Sequence, residues 1–398
     1  MKWQTVTLNE ISTTQYGFTA SAVEDAVGPK FLRITDIVPD SIDWNAVPYC
    51  KIDDSLVEKY RLEPGDIVIA RTGNTTGYAR LIRDDVKAVF ASYLVRLKLN
   101  RKIAEPAFVG RLMESQVYRS FVESIKGGAA QGNANAKTLT LFRFRLPPIS
   151  TQEKIADMLS AYDDLIENNR RRIQLLEQSA RLLYKEWFVL LRFPGHEHVK
   201  VVDGVPKGWE KKMAFDVMEI LSGGTPKTVV ADYWDGNIPF YTPKDSTDTA
   251  YVYETEKTIT EVGLKNCSGA RYPKDTVFIT ARGTVGNLNL AQVPMAINQS
   301  CYALVAKEPL TQYFLYYSLL AGMEQLRSRA SGAVFDAVVK DTFKLIPFLL
   351  PSELLIRNFT NEATPVLGQI ENLLSQNRKL KQARDLLLSR LMSGEINV

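Results

Sequence analysis

Two stretches of the chain place apolar residues at spacings that alternate between four and three. The first runs Ile155, Leu159, Tyr162, Ile166, Asn169, Ile173, Leu176, Ala180, Leu183 and Trp187. The second runs Phe359, Ala363, Val366, Ile370, Leu373, Asn377, Leu380, Arg384, Leu387 and Leu391. This is a heptad seam, the pattern of a long helix packed along another helix. No Gly or Pro falls between Ile155 and Leu191, so the first helix should run unbroken. Pro365 and Gly368 lie in the second, so its first turns are expected to be kinked or separate. Seam side chains gain about 1.5 kcal/mol or more each on burial, so neither seam stays in water. Two arrangements bury them: the two helices of one chain packed antiparallel, or a coiled coil between two copies. Asn169 and Asn377 interrupt the seams in similar local sequences, and polar seam residues fix register. From Ile155 to Trp187 is roughly 48 Å at about 1.5 Å per residue.

Upstream of each seam the chain repeats itself. Asp66, Thr75 and Gly77 in the first half fall on Asp275, Thr284 and Gly286 at an offset of 209, and the same offset carries Phe31 onto Phe240, Asp36 onto Asp245 and Tyr93 onto Tyr302. Trp3 heads one half and Trp209 the other. Late in each comes a loop of small residues, Gly127–Lys137 and Ser331–Lys340, followed by a strand that ends at Pro147 or Pro351. β-branched runs predict strands at Asp66–Ala70 and Thr276–Thr280, and amphipathic runs predict helices at Ala107–Ile125 and Gln312–Arg329. The fold class is therefore α+β with an approximate two-fold internal repeat. The expected boundaries are a globular domain over 1–150, a long helix over 151–191, an exposed Pro/Gly linker over 192–208, a second globular domain over 209–351 and a second long helix over 352–398. The repetition favours the intramolecular helix pair, because it gives one chain both halves of a symmetric plan.

Composition narrows the function classes. Of 398 residues, 45% are hydrophobic and 24% charged, which argues against disorder. The start carries no secretory pattern and no apolar run is long enough to span a bilayer, so a soluble, cytoplasmic protein is expected. Cys50, Cys267 and Cys301 are far apart and read as free thiols. Net charge is +4, and residues 201–398 balance at 21 basic and 21 acidic, so any surface for nucleic acid must be a local patch. There is no phosphate-binding G-x-x-x-x-G-K-[ST] run, no G-x-G-x-x-G after a strand, and no methyltransferase cofactor loop. His196 and His198 sit in a Pro-Gly loop without further ligands beside them, so no metal site is assigned. No nucleophile–base constellation emerges, which points to a binder and not a catalyst.

Three sequence elements together carry a resemblance over nearly the whole chain. They are the repeated Gly-Asp-hydrophobic strand with its following Gly-x-x-x-Gly, the Leu146-Pro147-Pro148-Ile149-Ser150-Thr151-Gln152-Glu153-Lys154-Ile155 run into the first helix, and the Phe193-Pro194-Gly195-His196-Glu197 to Val205-Pro206-Lys207-Gly208-Trp209 junction. In these the chain resembles the DNA-specificity subunit of type I restriction-modification systems. The resemblance implies two target-recognition domains, each reading one half of a bipartite double-stranded DNA site. It implies a helical pair that sets the spacer and docks two methyltransferase subunits, which bring S-adenosylmethionine, and restriction-translocase subunits that use ATP and Mg. It implies no cofactor bound by this chain and no catalytic residue in it. The rivals are the equivalent subunit of a related system with a fused methyltransferase-nuclease partner, a coiled-coil adaptor that reads no DNA, and a DNA methyltransferase in its own right, which the missing cofactor loop opposes.

Base edges and phosphates are met by Arg, Lys, Asn, Gln, Ser and Thr. The loops after the repeated strands offer Arg71, Thr72, Asn74 and Thr75 in the first domain and Arg282 and Thr284 in the second. A further set is Gln131, Asn133, Asn135 and Lys137, with Lys340 at the corresponding end of the second half. Lys30, Arg33 and Thr35, and Thr225, Lys227, Tyr241, Thr242 and Lys244, complete the candidates.

Overall fold

The computed structural model describes residues 3–39, 41–126, 134–329, 338–393 and 395–396. It divides into two units, Met1–Ile166 with Lys379–Val398, and Glu167–Arg378. Two long helices, Ile149–Tyr184 and Glu353–Ser393, each contribute a segment to both. Among the described residues, no helix is long and apolar enough to cross a membrane.

In the first unit a four-stranded antiparallel sheet runs in the order Ser12–Tyr16, Leu94–Leu99, Ile67–Ala70, Ala79–Leu81. All four residues of Ile67–Ala70 are buried because both faces of the strand are covered. Ile67 and Ile69 pack with Phe108, Val109 and Leu112 of the helix Pro106–Glu114, whereas Val68 and Ala70 pack with Leu32, Ile37 and Phe90. Two-sided burial is why this strand reads as a continuous apolar run instead of an alternating one. The second unit repeats the device. Val277 and Ile279 face Phe314 and Leu315, and Phe278 faces Tyr241, Tyr272 and Ile297, within a five-stranded sheet. In both units the N-terminal strand pairs antiparallel with the strand that ends before the proline: Gln4 opposite Leu146, and Glu210 opposite Leu350.

The internal repeat is present, with two corrections to its register. Phe31 and Phe240 pair alike with parallel neighbours, Val89 and Ala296. Asp36 and Asp245 both accept the N–H three residues back, from Arg33 and Thr242, at 2.8 Å. Asp66, however, occupies the place of Thr276 and not Asp275: the N–H of Ile82 meets the Asp66 carbonyl as the N–H of Ala291 meets that of Thr276. Gly65 then matches Asp275, and both hold a positive φ, 95° and 66°. The loop from Ala70 to Gly77 is one residue longer than that from Thr280 to Gly286, which restores the offset of 209 by Gly77. Likewise Val95, opposite Ile69, stands where Tyr302 stands opposite Ile279, so Tyr93 and Tyr302 are not counterparts.

Three local expectations also change. The helix expected over Ala107–Ile125 is two helices, Pro106–Glu114 and Gln116–Lys126. Ser115 adopts extended backbone between them while its hydroxyl bonds the Leu112 carbonyl at 2.6 Å, a local bond that competes with helix continuation. The linker holds a small hairpin, Val201–Val202 with Val205–Pro206, turned by Asp203 and Gly204 at φ 50° and 74°. The second long helix runs through Pro365 unbroken. Pro365 and Asn361, whose carbonyl loses its partner there, are both exposed, so that carbonyl lies on the solvent side of the helix.

Within each unit the helix segments pack antiparallel. In the first, Ile155 and Leu159 share a core with Leu388 and Leu391, and Asp163 pairs with Arg384 at 2.8 Å. In the second, Asn169 donates to Asn377 at 3.0 Å, Ile173 packs with Ile370 and Leu373, and the rings of Tyr184 and Phe359 lie 5.6 Å apart. These pairings within one chain select the intramolecular arrangement. Of the seam residues, Ile166 is buried, Tyr162, Leu176, Leu183, Leu380 and Leu387 are half-buried, and Leu388 takes the buried place beside Leu387. Gln152, fully buried, locks the start of the first helix: it donates to the Ile103 and Pro147 carbonyls and accepts from the N–H of Glu105.

Candidate nucleic-acid interface

In the first unit a rim of polar and aromatic side chains gathers where the strand Ile67–Ala70 ends. Arg71 donates Nε to the Ser92 carbonyl at 3.0 Å, and its guanidinium lies 4.9 Å from the ring centre of Tyr16. The Tyr16 hydroxyl accepts the N–H of Ala136 at 3.1 Å. Asn135 caps the short helix Ala136–Leu139 through its side-chain oxygen, which accepts from Thr138, so its NH2 is the part that remains for another partner. Lys137 and Tyr93 are exposed. In the loop, Thr72 and Thr75 are half-buried and Asn74 is exposed, with Gly73 at φ 73° making the turn. Arg119 lies over the Tyr78 ring, 4.9 Å from its centre. Gln131 and Asn133 lie outside the described residues.

The same scaffold in the second unit carries other side chains. The N–H of Ala281 meets the Ser300 carbonyl, and its own carbonyl accepts from Val338, as Arg71 meets Tyr93 and Ala134. Ala281 therefore stands where Arg71 stands and Ser300 where Tyr93 does. Ser222, opposite Tyr302, matches Tyr16, opposite Val95. Val339 and Asp341 take the places of Asn135 and Lys137 in the corresponding turn. Arg282 and Thr284 are exposed one and three residues further on, and the Thr284 hydroxyl donates to the Pro243 carbonyl at 3.2 Å. Lys340 is exposed at the start of its turn, while Ser331 to Phe335 lie outside the described residues.

The remaining candidates scatter. Tyr241 is a correction: it is fully buried, its hydroxyl donates to Asn289 at 2.9 Å, and burial pushes its pKa up. It is a core residue that a base edge does not reach. Thr242 and Arg33 cap matching turns, and Arg33 is tied to Asp36 at 2.9 Å. Thr35 is exposed on that turn. Lys30 donates to the Val47 carbonyl at 2.7 Å and lies over the Tyr49 ring, so its charge is engaged locally. Thr225 donates to Gln299, Lys227 is exposed, and Lys244 is exposed 3.8 Å from Glu256.

Residues 1–178 and 206–353 match the family model of the type I restriction modification DNA specificity domain. The chain belongs to this family. It is 31% identical over 181 residues to the specificity subunit of the type I restriction enzyme MjaIX of Methanocaldococcus jannaschii, a match that spans 44% of this chain and 40% of that one. It is 24% identical to the HindI specificity subunit of Haemophilus influenzae, over 85% of this chain and 88% of that one. The crystal structure of a type I restriction-modification S subunit from M. genitalium shares the fold, with a TM-score of 0.52 at 16% identity over 98% and 96% of the two chains. The chain is thus a DNA-specificity subunit, a recognition component and not an enzyme.

For a specificity domain, the residues that sequence reasoning missed are aromatic. Tyr16, Tyr78 and Tyr93 stand on the rim of the first unit, two of them under arginines. Their positions are legible only once the sheet register is known, because Tyr16 and Arg71 meet across strands far apart in sequence.

Proposed function

We propose that the first unit reads one half of a bipartite double-stranded DNA site and the second unit the other half. In this reading the helical pair sets the spacer and seats two methyltransferase subunits. Those subunits hold S-adenosylmethionine, and restriction-translocase subunits supply ATP and Mg chemistry, all in the cytoplasm. The observation that carries the reading is a shared scaffold with a divergent rim. Backbone hydrogen bonds correspond one for one around Arg71 and Ala281, yet the side chains there are Tyr16, Arg71, Tyr93 and Lys137 in one unit and Ser222, Ala281, Ser300 and Asp341 in the other. Two copies of a frame with different reading groups suit two different short sequences, since sequence is read by side chains at base edges.

Sequencing native DNA for methylated adenines, with and without this chain, tests it. A two-part motif with a fixed gap should appear only when the chain is present; an ungapped motif, or methylation that does not depend on the chain, contradicts it. Inserting one helical turn, about 5.4 Å, into both long helices should lengthen the gap by about one to two base pairs.

A further inference from the structure

On the rim of the first unit the fold positions the guanidinium of Arg71 without neutralising it. Arg71 is pinned at its backbone, with its N–H donating to Tyr93 and its carbonyl accepting from Ala134, both at 3.0 Å. Its side chain is pinned through Nε on the Ser92 carbonyl and through the Tyr16 ring beneath it. Tyr16 is held in turn by its place in the sheet opposite Val95 and by the N–H of Ala136 on its hydroxyl. Among the described residues, no carboxylate pairs with Arg71 and no acceptor meets its two terminal nitrogens. Arg33, Arg80, Arg96, Arg111 and Arg384 differ, each lying within 4 Å of a carboxylate of its own unit.

A guanidinium held at Nε and stacked on a ring presents its two Nη groups as a planar fork with little freedom left to lose. That fork matches O6 and N7 of guanine in the major groove. We propose that Arg71 reads a guanine in the half-site of the first unit and that Tyr16 is the residue that positions it. The equivalent places in the second unit are Ser222 and Ala281, so the second half-site has no guanine read in this manner. The inference rests on the reading that this rim faces DNA, and it narrows that reading to one base and one pair of residues.

The test uses the full chain assembled with its methyltransferase partner and a library of duplexes randomised in both half-sites, with methylated products sequenced. Arg71→Ala should lower the preference for guanine at one position of one half-site by about 5- to 150-fold, the range of a bidentate base contact. Other positions of that half, and the whole second half, should keep their preferences, and the second half reports that the complex has assembled. Arg71→Lys keeps the charge and loses the fork, so it should relax the same position. Tyr16→Leu should relax it in part, and Tyr16→Phe, which keeps the ring, should retain it. If Arg71→Ala weakens methylation evenly over all sequences, with a salt dependence reduced by about one unit of slope, while Arg71→Lys keeps the parent's base preferences and salt dependence, Arg71 holds a phosphate and the proposal fails while the rim still faces DNA. If neither variant alters any position or the extent of methylation, the rim does not touch DNA, and the broader reading of this surface fails as well.

Discussion

In the first unit, Asp163 on the first long helix meets Arg384 of the second at 2.8 Å and Arg83 at 3.0 Å, and pairs also with Arg111. Arg111 in turn meets Glu114 at 2.6 Å, and Arg80 lies 3.6 Å from the same carboxylate. In the second unit Leu367, buried in an apolar core, stands at the place of Asp163, each being the fifteenth residue of its long helix, and rings pack the same two helix segments. Tyr184, Phe188, Phe314, Tyr317 and Phe359 pack with ring centres 4.9 to 6.4 Å apart. Both copies join strands and loops to their helix segments through an apolar core, and the first adds a cluster of directional buried charge where the second has only apolar area. The repeat keeps its backbone frame while the attachment to the helices changes its chemistry. Burying charges earns little net stability against an apolar alternative, but removing one partner of such a group is severe. Aromatic packing stabilises through area and tolerates small shifts of angle.

Substitutions in the two seats sharpen this contrast. Asp163→Ala strips the shared carboxylate from three arginines and should lower stability by about 3–5 kcal/mol, read by urea unfolding. Phe359→Ala should cost a similar amount, about 3–5 kcal/mol, by opening a cavity. The two should part when the site is refilled with apolar bulk. Phe359→Leu should recover much of the loss, whereas Asp163→Leu should recover little, because the arginines remain without their partner. Equal recovery would break the comparison. Asn169→Ala should cost about 1–3 kcal/mol by removing the donor to the buried side-chain oxygen of Asn377, and Asn169→Leu combined with Asn377→Leu should cost less than that. A double change as damaging as the single one would show that the pair does more than satisfy itself.

The smallest effect concerns Glu177, buried in the second unit, where its carboxylate accepts the N–H of Ala250 at 2.5 Å. Burial holds its pKa above the ordinary glutamate value. The folded chain therefore keeps a proton that the unfolded chain releases, so stability falls as pH rises from that ordinary value through the raised one. Glu177→Gln keeps an acceptor for Ala250 and cannot ionise. It should flatten that decline, gaining on the parent at pH 8 relative to pH 5 in parallel denaturation curves. A decline of unchanged slope would place the titration elsewhere.

The long helices were legible because heptad spacing is a one-dimensional pattern, and the two seam residues expected to fix register, Asn169 and Asn377, bond to each other. The repeat was legible from Phe31/Phe240 and Asp36/Asp245, but a loop one residue longer in the first unit hid the shift at Asp66 and Asp275. Pro365 does not separate the first turns from the rest of the helix, because a proline on the solvent face leaves its orphan carbonyl open to water. The rim was legible in its polar members and not in its aromatic ones. Arg71 stands out in sequence as a loop arginine, yet nothing local distinguishes Tyr16 from a core tyrosine, and Tyr241 shows the reverse error.

The central claim is that two copies of one frame read separate short sequences. Sequencing methylated adenines in cells that carry the Arg71→Ala chain or the Arg282→Ala chain, each beside the parent, tests it most directly. The first substitution should relax one half of the gapped motif, and the second should touch only the other half. Changes in both halves from either substitution, or in the same half from both, would contradict it.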